Sequence, residues 1–124
     1  MPFAYWCVLI AALLPIVWVV YAKRGAVDNH NPRAGLDQLP DPKRRAYGAH
    51  LNAIENFPFF AAAVIIAVTM GAPVSTVNWL AGLYVLIRIA HGLLYITDQP
   101  SARSMAFTAG LIVNVVIFVL PAFK

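Results

Sequence analysis

Two groups of polar side chains interrupt an otherwise apolar sequence, and their types limit the chemistry they could do. The first is Arg45, His50, Asn52, Glu55 and Asn56, within "RRAYGAHLNAIENFPFF" at residues 44–60. The second is Arg88, His91 and Tyr95, in "RIAHGLLY" at residues 88–95. Guanidinium, carboxylate, amide, imidazole and phenol groups at membrane depth either pair with one another or line a wet cavity. At about 100° per residue, Arg45, Asn52 and Asn56 fall within about 20° of one line, with Glu55 about 80° to one side. His50 falls about 140° away, so it is expected to face another neighbour or the interface. The same rotation puts Tyr84, Arg88, His91 and Tyr95 within about 60° of one another.

Charged groups in the bilayer interior cost a few kcal/mol each, so the two stripes are expected to meet inside the bundle, with Glu55 paired to Arg88. A purely structural reading stands beside this one, in which the stripes form a polar network that fixes packing without binding anything. Metal chemistry is not expected, because no His, Cys or carboxylate spacing here matches a metal site. Cys7 has no second cysteine to bridge to. His30 reads as a solvated loop residue.

The elements that carry these stripes follow from composition. The 124 residues are 61% hydrophobic and 11% charged, against about 25% charged in a soluble domain, which points to a membrane protein. At roughly 20 residues per span the chain has room for four spans and no separate soluble domain. We place them at about residues 2–22, 43–70, 74–97 and 104–123, an all-α four-helix membrane bundle. The first is flanked by Tyr5 and Trp6 at one end and Trp18 and Tyr21 at the other, as interfacial belts require. Pro15 is expected to kink it, with neighbouring groups serving the freed carbonyl. With no basic leader and no small-residue cleavage site, it does not read as a removable signal peptide. Residues 23–42 read as a loop, "TDQPSAR" as a break, and Asn114 as helix-joining glue.

Charge then sets topology. Lys23, Arg24, Arg33, Lys43, Arg44 and Arg45 cluster in the first loop and its edge, and Arg103 falls on the same side, leaving Lys124 and the amino terminus opposite. This asymmetry, rather than nucleic-acid binding, accounts for the net charge of +4 and predicts that both polar loops are cytoplasmic.

The pattern RxxxxxHxNxxExFPxF, filled by Arg45, His50, Asn52, Glu55, Phe57, Pro58 and Phe59, resembles the second-helix motif of the MAPEG family, the membrane-associated proteins of eicosanoid and glutathione metabolism. RxxHxxxY at Arg88, His91 and Tyr95 resembles that family's third-helix motif, with the His of its prostaglandin-E-synthase-like branch. The resemblance covers the whole chain and is to the short, bacterial-type members. It implies a multi-pass protein of the bacterial inner membrane, a homotrimer, with glutathione as co-substrate bound between subunits and a lipophilic second substrate arriving through the bilayer. It further implies that Arg45, Asn52, Glu55, Arg88, His91 and Tyr95 hold the tripeptide and that Arg103 steadies its thiolate. The residue types suit that role. A free thiol has a pKa of about 8.5, and an adjacent guanidinium favours the nucleophilic thiolate. Arginines suit the two carboxylates of glutathione, and Glu55 suits its ammonium.

Two positions depart from the family pattern. Many glutathione-using members have an Arg four residues before the motif Asn and a Glu just before the first motif Arg, where this chain has Gly48 and Arg44. Gly48 removes one carboxylate anchor, for which Arg44 or Arg33 are candidate replacements. Three functions therefore compete: a microsomal-type glutathione transferase or peroxidase acting on lipophilic electrophiles, a noncatalytic lipid-binding or scaffold member of the family, and a small four-span exporter. The last is disfavoured because span one carries no charge between Met1 and Ala22.

Overall fold

The computed structural model describes residues 1–25 and 30–123; residues 26–29 of the first loop and Lys124 lie outside the described residues. Four helices are long and apolar enough to cross a membrane: α1 (Phe3–Lys23), α2 (Asp41–Thr69), α3 (Val74–Ile96) and α4 (Pro100–Val119). They form a four-helix bundle in which α1 packs on α2, α3 packs on α4, and α2 touches all three others. Short 3-10 turns at Leu36–Gln38 and Leu120–Phe123 complete the described structure.

Small residues let the helices approach. Ala46, Ala49, Ala53, Ala63 and Ala67 are buried along α2, as the lack of a hydrophobic drive between helices in lipid requires. Gly92 of α3 is the extreme case: a methyl group there would lie 2.1 Å from Cζ2 of Trp18, so the indole of α1 rests directly on the α3 backbone. Phe60 of α2 stacks on Tyr84 of α3 at 4.0 Å between ring centroids. Asn114 is buried on α4, and its Oδ1 has no hydrogen-bond partner among the described residues.

Pro15 does not break α1, which runs unbroken through it. His50 Nδ1 lies 2.7 Å from the Pro15 carbonyl oxygen, and since a carbonyl only accepts, that nitrogen carries the proton. His50 thus faces α1, away from the polar stripe on its own helix. Lys43 Nζ donates to the carbonyls of Tyr21 and Arg24 at the end of α1, where a cation complements the helix dipole.

Two boundaries differ from expectation. α2 starts at Asp41, with Pro42 in its first turn, where a missing N–H costs nothing. At 29 residues it is about 44 Å long, well beyond a hydrocarbon core of about 30 Å. α4 starts at Pro100 by the same logic, so "PSAR" is helix and the break narrows to residues 97–99. Asp98 makes that turn with a φ of 60°. Arg103 therefore sits in the first turns of α4 rather than in a loop.

Candidate functional site

The two stripes do converge. Asn52 on α2 is the junction: its Oδ1 accepts a hydrogen bond from Arg88 Nη2 of α3 at 2.6 Å and a longer one of 3.3 Å from Asn56 Nδ2. Asn56 Nδ2 also donates to the Asn52 carbonyl at 2.8 Å. Arg88 is buried, at 5% relative exposure. No carboxylate lies within ion-pair distance of it among the described residues.

The expected Glu55–Arg88 pair does not form. Glu55 is exposed on the outside of the bundle and makes no ion pair among the described residues. The reason is rotational: Asn52 lies on the α3-facing line of α2, while Glu55, about 60° further round, points past α3. A neutral amide takes the place in front of the guanidinium.

Toward the loop end of the bundle, Asn52, His91, Tyr95 and Arg103 line a cavity of about 290 Å³ together with Ser104, Phe107 and Thr108 of α4. Small-molecule sites commonly run from about 300 to 1,000 Å³, so this is a compact, mostly polar pocket. The His91 ring packs edge-on against Tyr95 and tilted against Phe107, with centroids 5.9 and 6.3 Å away. It is nearly fully buried, and its Nδ1, buried as well, has no partner among the described residues. Arg103 places its guanidinium carbon 4.6 Å from the Tyr95 ring centroid, a cation–π contact. Arg45 Nε donates to the Ile96 carbonyl at 3.0 Å, tying α2 to the last residue of α3.

Five of the seven sequence-predicted site residues thus gather at one place: Asn52, Arg88, His91, Tyr95 and Arg103. Arg45 stands beside them at the end of α3, and Glu55 faces outward from the protomer. Ser104, Phe107 and Thr108 were not anticipated. Their spacing puts Phe107 and Thr108 within about 60° of Ser104 on the expected span 104–123, but Ser, Phe and Thr are too common in apolar helices to mark a site.

A buried guanidinium without an acidic partner among the described residues and a second one held over an aromatic ring make a site that favours anions. Together with the four helices apolar enough to span a membrane, these features define an integral membrane protein with a polar pocket that has Arg103 on its wall and Arg88 bonded to Asn52 beside it. The chain belongs to the MAPEG family, whose model matches residues 3–123. That membership makes it a membrane protein of the glutathione- and eicosanoid-related group. The chain has no significant match among curated proteins or among solved structures.

Proposed function

We propose that the protein is a glutathione-dependent membrane transferase or peroxidase acting on lipophilic electrophiles. The observation that carries this reading is Arg88, a buried guanidinium satisfied by an amide and left without a carboxylate among the described residues. Burying an uncompensated charge is costly, and an anionic ligand in the adjoining cavity would offset that cost. Glutathione fits the side chains present: arginines for its carboxylates and Glu55 for its ammonium.

In this reading glutathione supplies the sulfur nucleophile. Arg103 and Tyr95 stand at the same cavity wall, and the Arg103 guanidinium stabilises negative charge on sulfur. Asn52 orients Arg88, and Arg45 holds the end of α3 on which Tyr95 sits. The lipid-facing sides of the helices deliver the acceptor.

Glu55 supports the homotrimer that completes the site. A carboxylate exposed at membrane depth beside Leu51, Ile54 and Phe59, all also exposed on the protomer, is expensive against lipid. A neighbouring copy would cover it. Native mass spectrometry of the protein in detergent should give three chains; a monomer would remove the intersubunit site. The polar loops are assigned to the cytoplasmic side on charge asymmetry, and a bacterial inner membrane on the resemblance to the short, bacterial-type members; labelling of single cysteines placed in each loop of intact cells tests the sidedness.

The deciding experiment is titration of the purified protein with glutathione, followed by conjugation of a chlorodinitrobenzene. Binding with turnover is expected. Absence of both at millimolar glutathione in a well-folded oligomer would sink the proposal. Arg103→Leu should reduce turnover at least tenfold while changing glutathione affinity less; unchanged turnover would take Arg103 out of the mechanism.

One observation favours a noncatalytic lipid-binding role instead. An apolar groove of about 660 Å³ lies between α1 and α3, lined by Phe3, Cys7, Trp79, Leu83 and Leu86 among others. Lipid that copurifies there, with no thiol chemistry, would establish that second reading.

A further inference from the structure

Gly48 lies in the interior of α2, where glycine is unfavourable by about 1 kcal/mol relative to alanine, and no turn or positive φ calls for it. What it meets is Tyr95. A methyl group at Gly48 would lie 2.5 Å from Tyr95 Oη, 2.8 Å from Cζ and 3.0 Å from Cε1. The hydroxyl end of the ring therefore rests on the bare α2 backbone. The same ring carries Arg103, whose guanidinium carbon is 4.6 Å from its centroid. Arg103 makes no side-chain hydrogen bond or ion pair among the described residues, so the ring is what locates it at the cavity wall.

From this chain of contacts we infer that Gly48 is a positioning residue. By lacking a side chain it seats Tyr95 against α2, and through the Tyr95 ring it sets where Arg103 presents its charge in the cavity. The inference deepens the proposed function, because Arg103 is there the group that steadies the thiolate, but the seat itself exists without any ligand. It also gives the departure from the family pattern at this position a physical content: the place is taken by a phenol from α3 rather than left empty. Restoring ordinary contact with a methyl at position 48 moves the ring by roughly 1 Å, a displacement that can cost on the order of a hundredfold when it misplaces a reacting group.

The test begins without glutathione. The full chain in detergent is treated with an arginine-directed dicarbonyl reagent, and the modification rate of Arg103 is followed by peptide mass spectrometry, with exposed Arg24 as the internal standard. Gly48→Ala should raise the Arg103 rate at least threefold over the native chain while Arg24 is unchanged. An unaltered Arg103 rate in folded Gly48→Ala protein overturns the inference. Where Gly48→Ala fails to fold, the double variant Gly48→Ala/Tyr95→Ser decides. Recovery of the folded oligomer supports the inference, since the ring that the methyl meets is gone; continued misfolding overturns it. In the catalytic arm, Gly48→Ala should lower kcat at least tenfold with KM within threefold, and Gly48→Ala/Tyr95→Phe, which removes the nearest atom, should regain part of the loss. A native protein that neither binds nor turns over glutathione overturns the proposed function, while the modification rates still decide the role of Gly48.

Discussion

Asn52 shows how one neutral side chain can govern a charged one. Its Oδ1 is the acceptor the structure gives to the Arg88 side chain, and a buried charged donor stripped of its partner loses about 1–3 kcal/mol or more. Asn52→Leu should therefore lower the thermal midpoint of the detergent-solubilised protein by several degrees, and Asn52→Asp, which supplies a carboxylate, should not. A leucine variant as stable as the native chain would mean that Arg88 has another acceptor. Arg45 poses a second question at this scale. Its Nε holds the Ile96 carbonyl, so Arg45→Met should loosen the end of α3 and speed amide exchange around residues 94–97; unchanged exchange would show that α3 closes without it. The residues of the site were legible in the sequence because Arg, His and Asn are conspicuous among Val, Ile and Ala. Their pairing was not. Helical rotation alone puts Asn52 and Glu55 on neighbouring lines, and only the azimuth of α3 against α2 decides which of them meets Arg88.

At the scale of elements, the contacts that hold the bundle are made where side chains are missing. Gly92→Ala drives a methyl to 2.1 Å from the Trp18 ring, and since both partners are nearly fully buried, α1 must separate from α3. The expected result is a loss of several kcal/mol, of the kind overpacked cores show, with a change in tryptophan fluorescence as the indole gains exposure. Trp18→Ala in the same chain should recover much of the stability; no recovery would place the conflict elsewhere. All four spans were legible from hydropathy, because a run of apolar residues of membrane-crossing length has few other fates. The starts of α2 and α4 were not, because Pro42 and Pro100 read as breaks although proline suits the first turn of a helix. Ser104, Phe107 and Thr108, which line the cavity, lay within the expected fourth span and went unread because nothing in their types sets them apart from helix-packing residues.

At the scale of the whole molecule, the outer surface of the bundle is not uniformly suited to lipid. Much of its large apolar surface is exposed on every helix, which lipid accommodates, but Glu55 is exposed among such residues and lipid does not accommodate it. The expectation of a homotrimer rests on family resemblance alone, since neither periodicity nor composition tells an outward face covered by lipid from one covered by a copy. Glu55→Leu should leave the oligomer intact and weaken glutathione binding at least tenfold if the carboxylate takes the ammonium. Unchanged affinity would reduce Glu55 to a packing residue.

The length of α2 has one more consequence. If its far end, Thr69, lies at the outer hydrocarbon limit, about 14 Å of the helix projects beyond the inner one, and Asn52 stands about 16 Å from its start. The pocket then opens at the seam between water and oil. A hydrophilic reactant would never have to leave its solvent, and a greasy one would never have to enter water. Under the proposed chemistry, rates measured in vesicles would follow the acceptor's mole fraction in the lipid phase rather than its total concentration, so partitioning itself would select among acceptors before any contact with the protein.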